Sequence, residues 1–183
     1  YNTWIEDVYS REPDSYTITR SIATFERSLI SAQSPFDQFI QGDEEALSES
    51  AKAGMDLFFS DELACSKCHG GFNFTNYAFE NNGLSSDYDD PGRFRVTNDP
   101  ADIARFKVPT LRNIALTAPY MHDGSMNSIN EVLEHYNSGG FPHMHKSEMI
   151  RPLGLSQKKI NQLEDFLTSL TDVNFIENPL FKP

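Results

Sequence analysis

The chain is 183 residues long, 38% hydrophobic and 23% charged, ordinary values for a globular protein with one good core and some chain to spare. Its net charge of −12 disfavours nucleic acid and suits either basic partners or plain solubility. No apolar run approaches the roughly 20 residues of a membrane span, no signal peptide is visible, and the start at Tyr1 rather than Met points to a processed or truncated product.

Residues 15–32 read as an amphipathic helix, with Ile18, Ile22, Phe25 and Leu29 at helical spacing. The Ser34-Pro35 pair should end it, and the polar stretch 41–49 reads as a linker. A second helix is expected from the N-cap Ser48 to about Phe59. Gly54 sits inside it, where glycine costs about 1 kcal/mol against alanine; a second helix packed closely at that point would explain it. Residues 72–107 show little periodicity and are rich in Gly, Pro, Asp and Asn, so they predict a long irregular loop region with at most short strands. Asp87, Asp89 and Asp90 lack the spacing and terminal Glu of an EF-hand. A third helix is predicted over 129–136, with Ser128 and Glu131 as a capping box and residues 137–140 as its stop. A fourth should run from Ser156 to about Leu170, burying Ile160, Leu163, Leu167 and Leu170 with Phe166 beside them. The tail beyond Thr171 reads as irregular.

The chemistry lies in Cys65-Ser66-Lys67-Cys68-His69, a C-x-x-C-H motif holding both cysteines of the chain. Two thiols at this spacing add to the vinyl groups of a haem, and the next residue falls under the metal as proximal ligand. Two rivals exist. A thioredoxin-like dithiol wants a βαβ setting, which is not visible. A structural zinc site wants a second ligand pair, which His143 and His145 offer. Attachment of haem c takes place outside the cytoplasm, so a periplasmic location is expected.

Around the motif lie further stretches: residues 21–27 (SIATFER), 34–37 (SPFD), 152–156 (PLGLS) and, above all, 106–125 (FKVPTLRNIALTAPYMHDGS). Together they resemble the C-terminal half of the bacterial di-haem cytochrome c peroxidase and MauG family, over nearly the whole chain. The resemblance implies a mainly α, cytochrome c-like haem domain over residues 48–183. Residues 1–47 would be a lead-in with one docking helix, the end of an N-terminal domain outside this chain. It implies electron transfer to a peroxidatic haem in that domain, from a small electron-donor redox protein, with a homodimer admitted. It also places Arg112 near a haem propionate, His122 in the haem surroundings, and the carbonyls of Thr117 and Pro119 on an interdomain calcium ion. A free-standing mono-haem carrier and a MauG-like oxidase acting on a protein substrate are the alternatives. Whether this chain by itself is an enzyme stays open, because only one C-x-x-C-H is present.

An electron-transfer haem usually has two axial ligands. Besides His69, the candidates are Met121, Met126, Met144, Met149, several histidines and Tyr136. At about 3.6 residues per turn, Tyr136 comes two turns after Ile129 and falls between Val132 and Leu133, in the middle of the apolar stripe, with His135 directed elsewhere. The resemblance puts Tyr136 where ordinary members carry an axial Met and MauG-type members a Tyr. His69 and Tyr136 are therefore the expected iron ligands, with Met121 or Met126 as the alternative to Tyr136. A phenolate would favour Fe(III) and lower the reduction potential relative to a thioether.

Overall fold

The computed structural model describes residues 2–181, and the chain divides into two compact units, Tyr1–Ala32 and Gln33–Pro183. In the first unit, α1 (Asn2–Tyr9) is a helix that periodicity did not single out, being only eight residues long. Helix α2 (Ser15–Ser28) starts at a reciprocal capping box between Asp14 and Thr17 and stops at Leu29, short of the expected end at 32. Its stripe residues Ile18, Ile22 and Phe25 are about half exposed.

In the second unit, Ser34-Pro35 begins a helix, α3 (Pro35–Ile40), rather than only ending the one before. The Ser34 hydroxyl accepts from the Asp37 amide and the Asp37 carboxylate accepts from the Ser34 amide, while Pro35 occupies a position whose N–H has no helical partner anyway. Helix α4 (Glu49–Phe59) is capped by Ser48 as expected. The haem motif forms a single turn, α5 (Cys65–Cys68). Residues 72–107 are mostly loop, with β1 (Phe79–Glu80) antiparallel to β2 (Phe106–Lys107) and a short turn of helix between them, α6 (Phe94–Thr97). Helix α7 (Ile129–Ser138) takes the Ser128 cap, but the Glu131 carboxylate receives the Asn127 amide instead of closing the box. Helix α8 (Gln157–Thr168) ends before Leu170, and Ser156 makes no side-chain cap. Asp172 caps α9 (Val173–Glu177) in the tail that read as irregular. Among the described residues no helix is long and apolar enough to cross a membrane.

The core lies where α4 meets α8. Phe58 packs with Leu163, Phe166 and Leu167 of α8, and with Leu63, Phe74, Leu111, Ile129 and Leu170. All the apolar positions expected of α8 are buried, from Ile160 to Leu170. Gly54 is where the two helices approach: a Cβ there would stand 1.8 Å from the Gln162 carbonyl oxygen. The boundary between units falls at 32/33 rather than at 47/48 because α3 is built into this core. Phe36 meets Phe74 edge-on at 5.2 Å, and Asp37 is bonded to Arg112.

Arg112, expected near a haem propionate, has its guanidinium closed onto Asp37 through two bonds, of 2.9 and 3.0 Å, with both side chains over nine-tenths buried. Its Nε donates to the Phe72 carbonyl at 2.7 Å, and the Phe72 ring lies 4.3 Å away. A forked cation suits a bidentate carboxylate, and here the carboxylate comes from α3. Two threonines extend the tie: Thr110 donates to the Asn73 carbonyl and Thr75 to the Val108 carbonyl. The segment 108–112 is thus strapped along the segment 72–75 that follows the haem motif.

Two stability predictions follow from this packing. Helix propensity alone would make Gly54→Ala stabilising by about 1 kcal/mol. The backbone clash should win, with a net loss of roughly 1–3 kcal/mol in denaturant unfolding. For Asp37, burial would raise the carboxyl's pKa, but the bonds from Arg112 and Ser34 outweigh it and hold the value below the usual range. A depressed folded value contributes stability that is present above the unfolded pKa of about 3.9 and is lost as pH falls through the folded one. Asp37→Asn should cost roughly 1–3 kcal/mol near neutrality, because the buried guanidinium loses its counter-charge. It should also flatten the fall in stability below about pH 4, as read from urea midpoints across pH.

Candidate functional site

An apolar cavity of about 390 Å³ opens beside the haem motif, within the roughly 300–1,000 Å³ range of cofactor sites. Phe58, Leu63, Leu111, Leu133, Leu163 and Leu167 make much of its wall, and Cys65, Cys68, His69, His122 and Tyr136 also line it. Arg112 does not.

His69 is set up as a metal ligand by the segment strapped under Arg112. Its Nδ1 lies 3.2 Å from the Phe74 carbonyl oxygen. A carbonyl only accepts, so Nδ1 carries the proton and Nε2 keeps its lone pair. Burial pushes the imidazole pKa below its ordinary value, with the Phe74 and Pro109 carbonyls opposing in part, so the ring is neutral near pH 7. Phe74 is held at φ +50°, a left-handed conformation rare for a bulky residue, and is 2% exposed. The surrounding core and the Thr75 bond to Val108 hold it there.

Cys65 and Cys68 are free thiols at the cavity. Burial pushes Cys65 up to about 11 and also raises Cys68. Exchange-active C-x-x-C pairs have lowered values, so the dithiol alternative loses its chemistry. The zinc alternative loses its geometry: His143 and His145 do not line the cavity, and His143 Nδ1 accepts from the Asn81 amide at 3.3 Å. Among the described residues no group of three or more His, Cys, Asp or Glu side chains is placed to hold a metal. Free thiols, a neutral imidazole with an open Nε2 and an apolar slot fit a covalently attached haem. Cys65 and Cys68 would hold its vinyl groups and His69 its iron.

Tyr136 of α7 also lines the cavity. Burial raises its pKa, and a hydrogen bond with the Asn82 side chain pulls the other way. Of the methionines, Met121 and Met149 line the cavity, Met126 does not, and Met144 is 85% exposed. His122 stacks on Phe106 at 3.7 Å between ring centroids. Thr117 and Pro119 are exposed, either side of a cis Ala118–Pro119 bond. Asn82 is the lining residue that sequence reasoning missed, because it lies in the aperiodic stretch 72–107. His135, expected to point away, is buried and donates from Nε2 to the Asn82 carbonyl at 3.0 Å.

The sequence profile of the family described as di-haem cytochrome c peroxidase matches residues 1–45. The methylamine utilization protein MauG of Methylorubrum extorquens is 36% identical over 154 residues, 84% of this chain and 43% of that protein. The cytochrome c peroxidase Ccp of Escherichia coli is 41% identical over 135 residues, 70% of this chain and 29% of that protein. A crystal structure of a MauG-like protein associated with microbial copper homeostasis superposes with a TM-score of 0.83 at 34% identity, covering 96% of this chain and 63% of that one. The chain thus spans less than half the length of these two curated relatives. Likeness running through most of the chain, to a mainly helical cytochrome c-like fold with a haem-binding motif at its cavity, makes this protein a member of the di-haem cytochrome c peroxidase and MauG family of haem redox proteins.

Proposed function

We propose that this chain is the electron-transferring c-type haem domain of a two-haem protein of this family, corresponding to its C-terminal half. The observation that carries the reading is the single C-x-x-C-H motif lining one apolar cavity together with Tyr136, in a chain that spans less than half the length of these relatives. The bound haem would supply reversible one-electron exchange. Cys65 and Cys68 would anchor it, and His69, through Nε2, and Tyr136 would hold its iron. The apolar wall excludes water, which keeps the charge change at the iron poorly screened by solvent and its potential under the control of these ligands.

With His69 and Tyr136 both on the iron, peroxide would find no open site here, and peroxidatic chemistry would belong to the adjoining N-terminal haem domain. Electrons arrive from a small redox protein, and the net charge of −12 suits a donor with a basic face. Covalent haem attachment implies a periplasmic location. Thr117 and Pro119 would offer carbonyls to a calcium ion only together with donors from the adjoining domain. A second reading, oxidation of a protein substrate in the manner of MauG, draws its support from Tyr136, since a hard anionic donor favours the oxidised metal.

Two experiments test the proposal. Expressed with working haem-attachment machinery, the denatured 183-residue chain should carry the mass of one haem, and Cys65→Ser with Cys68→Ser should abolish it; a haem-free wild-type mass contradicts the reading. In the ferric protein, Tyr136→Phe should change the EPR and absorption spectra by opening a coordination position. Tyr136→Met should raise the reduction potential, where each step of about 59 mV is tenfold in the one-electron equilibrium. An unchanged spectrum in Tyr136→Phe would remove Tyr136 as ligand, and an ordinary peroxidase domain would become the better description.

A further inference from the structure

Besides His69, the cavity lining holds two side chains able to ligate iron, Tyr136 and Met121, and Asn82 lines it with them. Asn82 donates from Nδ2 to Met121 Sδ at 3.4 Å. That nitrogen carries two hydrogens, and Asn82 lines the same cavity as Tyr136. Asn82 is itself fixed from three sides. Its backbone carbonyl accepts from His135 Nε2 at 3.0 Å, the neighbour of Tyr136 on α7. Its Oδ1 accepts the Leu84 amide at 3.2 Å, which orients the amide so that the nitrogen end faces the cavity. Next to it, Asn81 is fully buried and bonded to the Ala104 carbonyl.

Met121 is restrained from its own side as well. Its backbone sits at φ +72°, in the left-handed region, at the head of a tight loop closed by paired bonds between Tyr120 and Met126. The loop brings the thioether to the cavity wall, and the thioether sulfur is a soft ligand for iron with a lone pair to give. A hydrogen bond into that sulfur occupies a lone pair.

We propose that Asn82 is a positioning residue that selects the axial ligand: its amide ties down the Met121 sulfur and so leaves the iron to Tyr136. The inference rests on the reading of Tyr136 as iron ligand and goes beyond it. Tyr136 prevails not because it is the sole donor within the cavity but because its competitor is tied down. The His135 bond to the Asn82 carbonyl makes α7 the common support of the selector and the selected ligand.

The test uses the haem-loaded protein and reads coordination by ferric EPR and magnetic circular dichroism, with the reduction potential alongside. Asn82→Asp keeps the acceptor for the Leu84 amide and so the local turn, but removes both N–H donors; Asn82→Ala removes the side chain. Each should raise the ratio of thioether-ligated to phenolate-ligated haem roughly two- to tenfold, the range of one net hydrogen bond, and Asn82→Ala should move the potential upward. Adding Met121→Leu to either variant should abolish the thioether signature. Unchanged spectra in both Asn82 variants, while Tyr136→Phe does change them, overturn the selector role and leave Tyr136 as ligand. A thioether signature that survives Met121→Leu also overturns it. If Tyr136→Phe itself is silent, the parent reading falls and the selector with it.

Discussion

The Asp37–Arg112 pair is the tie on which the cavity's proximal side depends. A buried guanidinium with a bidentate carboxylate leaves little freedom to the segments that carry it. Through Nε it grips the Phe72 carbonyl, and with Thr110 and Thr75 it binds residues 108–112 along residues 72–75. Phe74 is thereby fixed in a conformation it would not choose alone, and its carbonyl sets the tautomer of His69. The run of structure goes from α3, through an arginine that never reaches the cavity, to the ring nitrogen facing it. In this way a residue outside the cavity orients the His69 ring that lines it.

The cavity's walls and its far side have a different origin. Helices α4 and α8 meet at Gly54 so closely that any side chain there would strike backbone, and their apolar faces close the core below the slot. Helix α7 carries Tyr136 to the cavity and His135 onto Asn82, and through Ile129 it joins the same core as Phe74 and Leu111 of the strap.

Much of this was legible in advance where one physical rule dominates locally. The spacing of the two cysteines and the histidine specifies its chemistry within five residues. The helical period put Tyr136 mid-stripe and identified the buried face of α8, and the glycine inside α4 announced a close helix contact. Misreadings fell where short signals have two meanings. Ser34-Pro35 ends one segment and equally caps the next, and only the carboxylate at Asp37 reveals the box.

The sequence by itself determined the haem motif, the family and the helices long enough to show a period, because each is written in residues close together along the chain. Only the tertiary structure decided which carboxylate Arg112 takes, which methionines reach the cavity, and that Asn82 meets Met121. Those residues are 39 and 75 positions apart or more along the chain, and no local period or spacing relates them. Their meeting is fixed by the packing of α4 on α8 and by the strap beneath the motif, which exist only once the chain has folded.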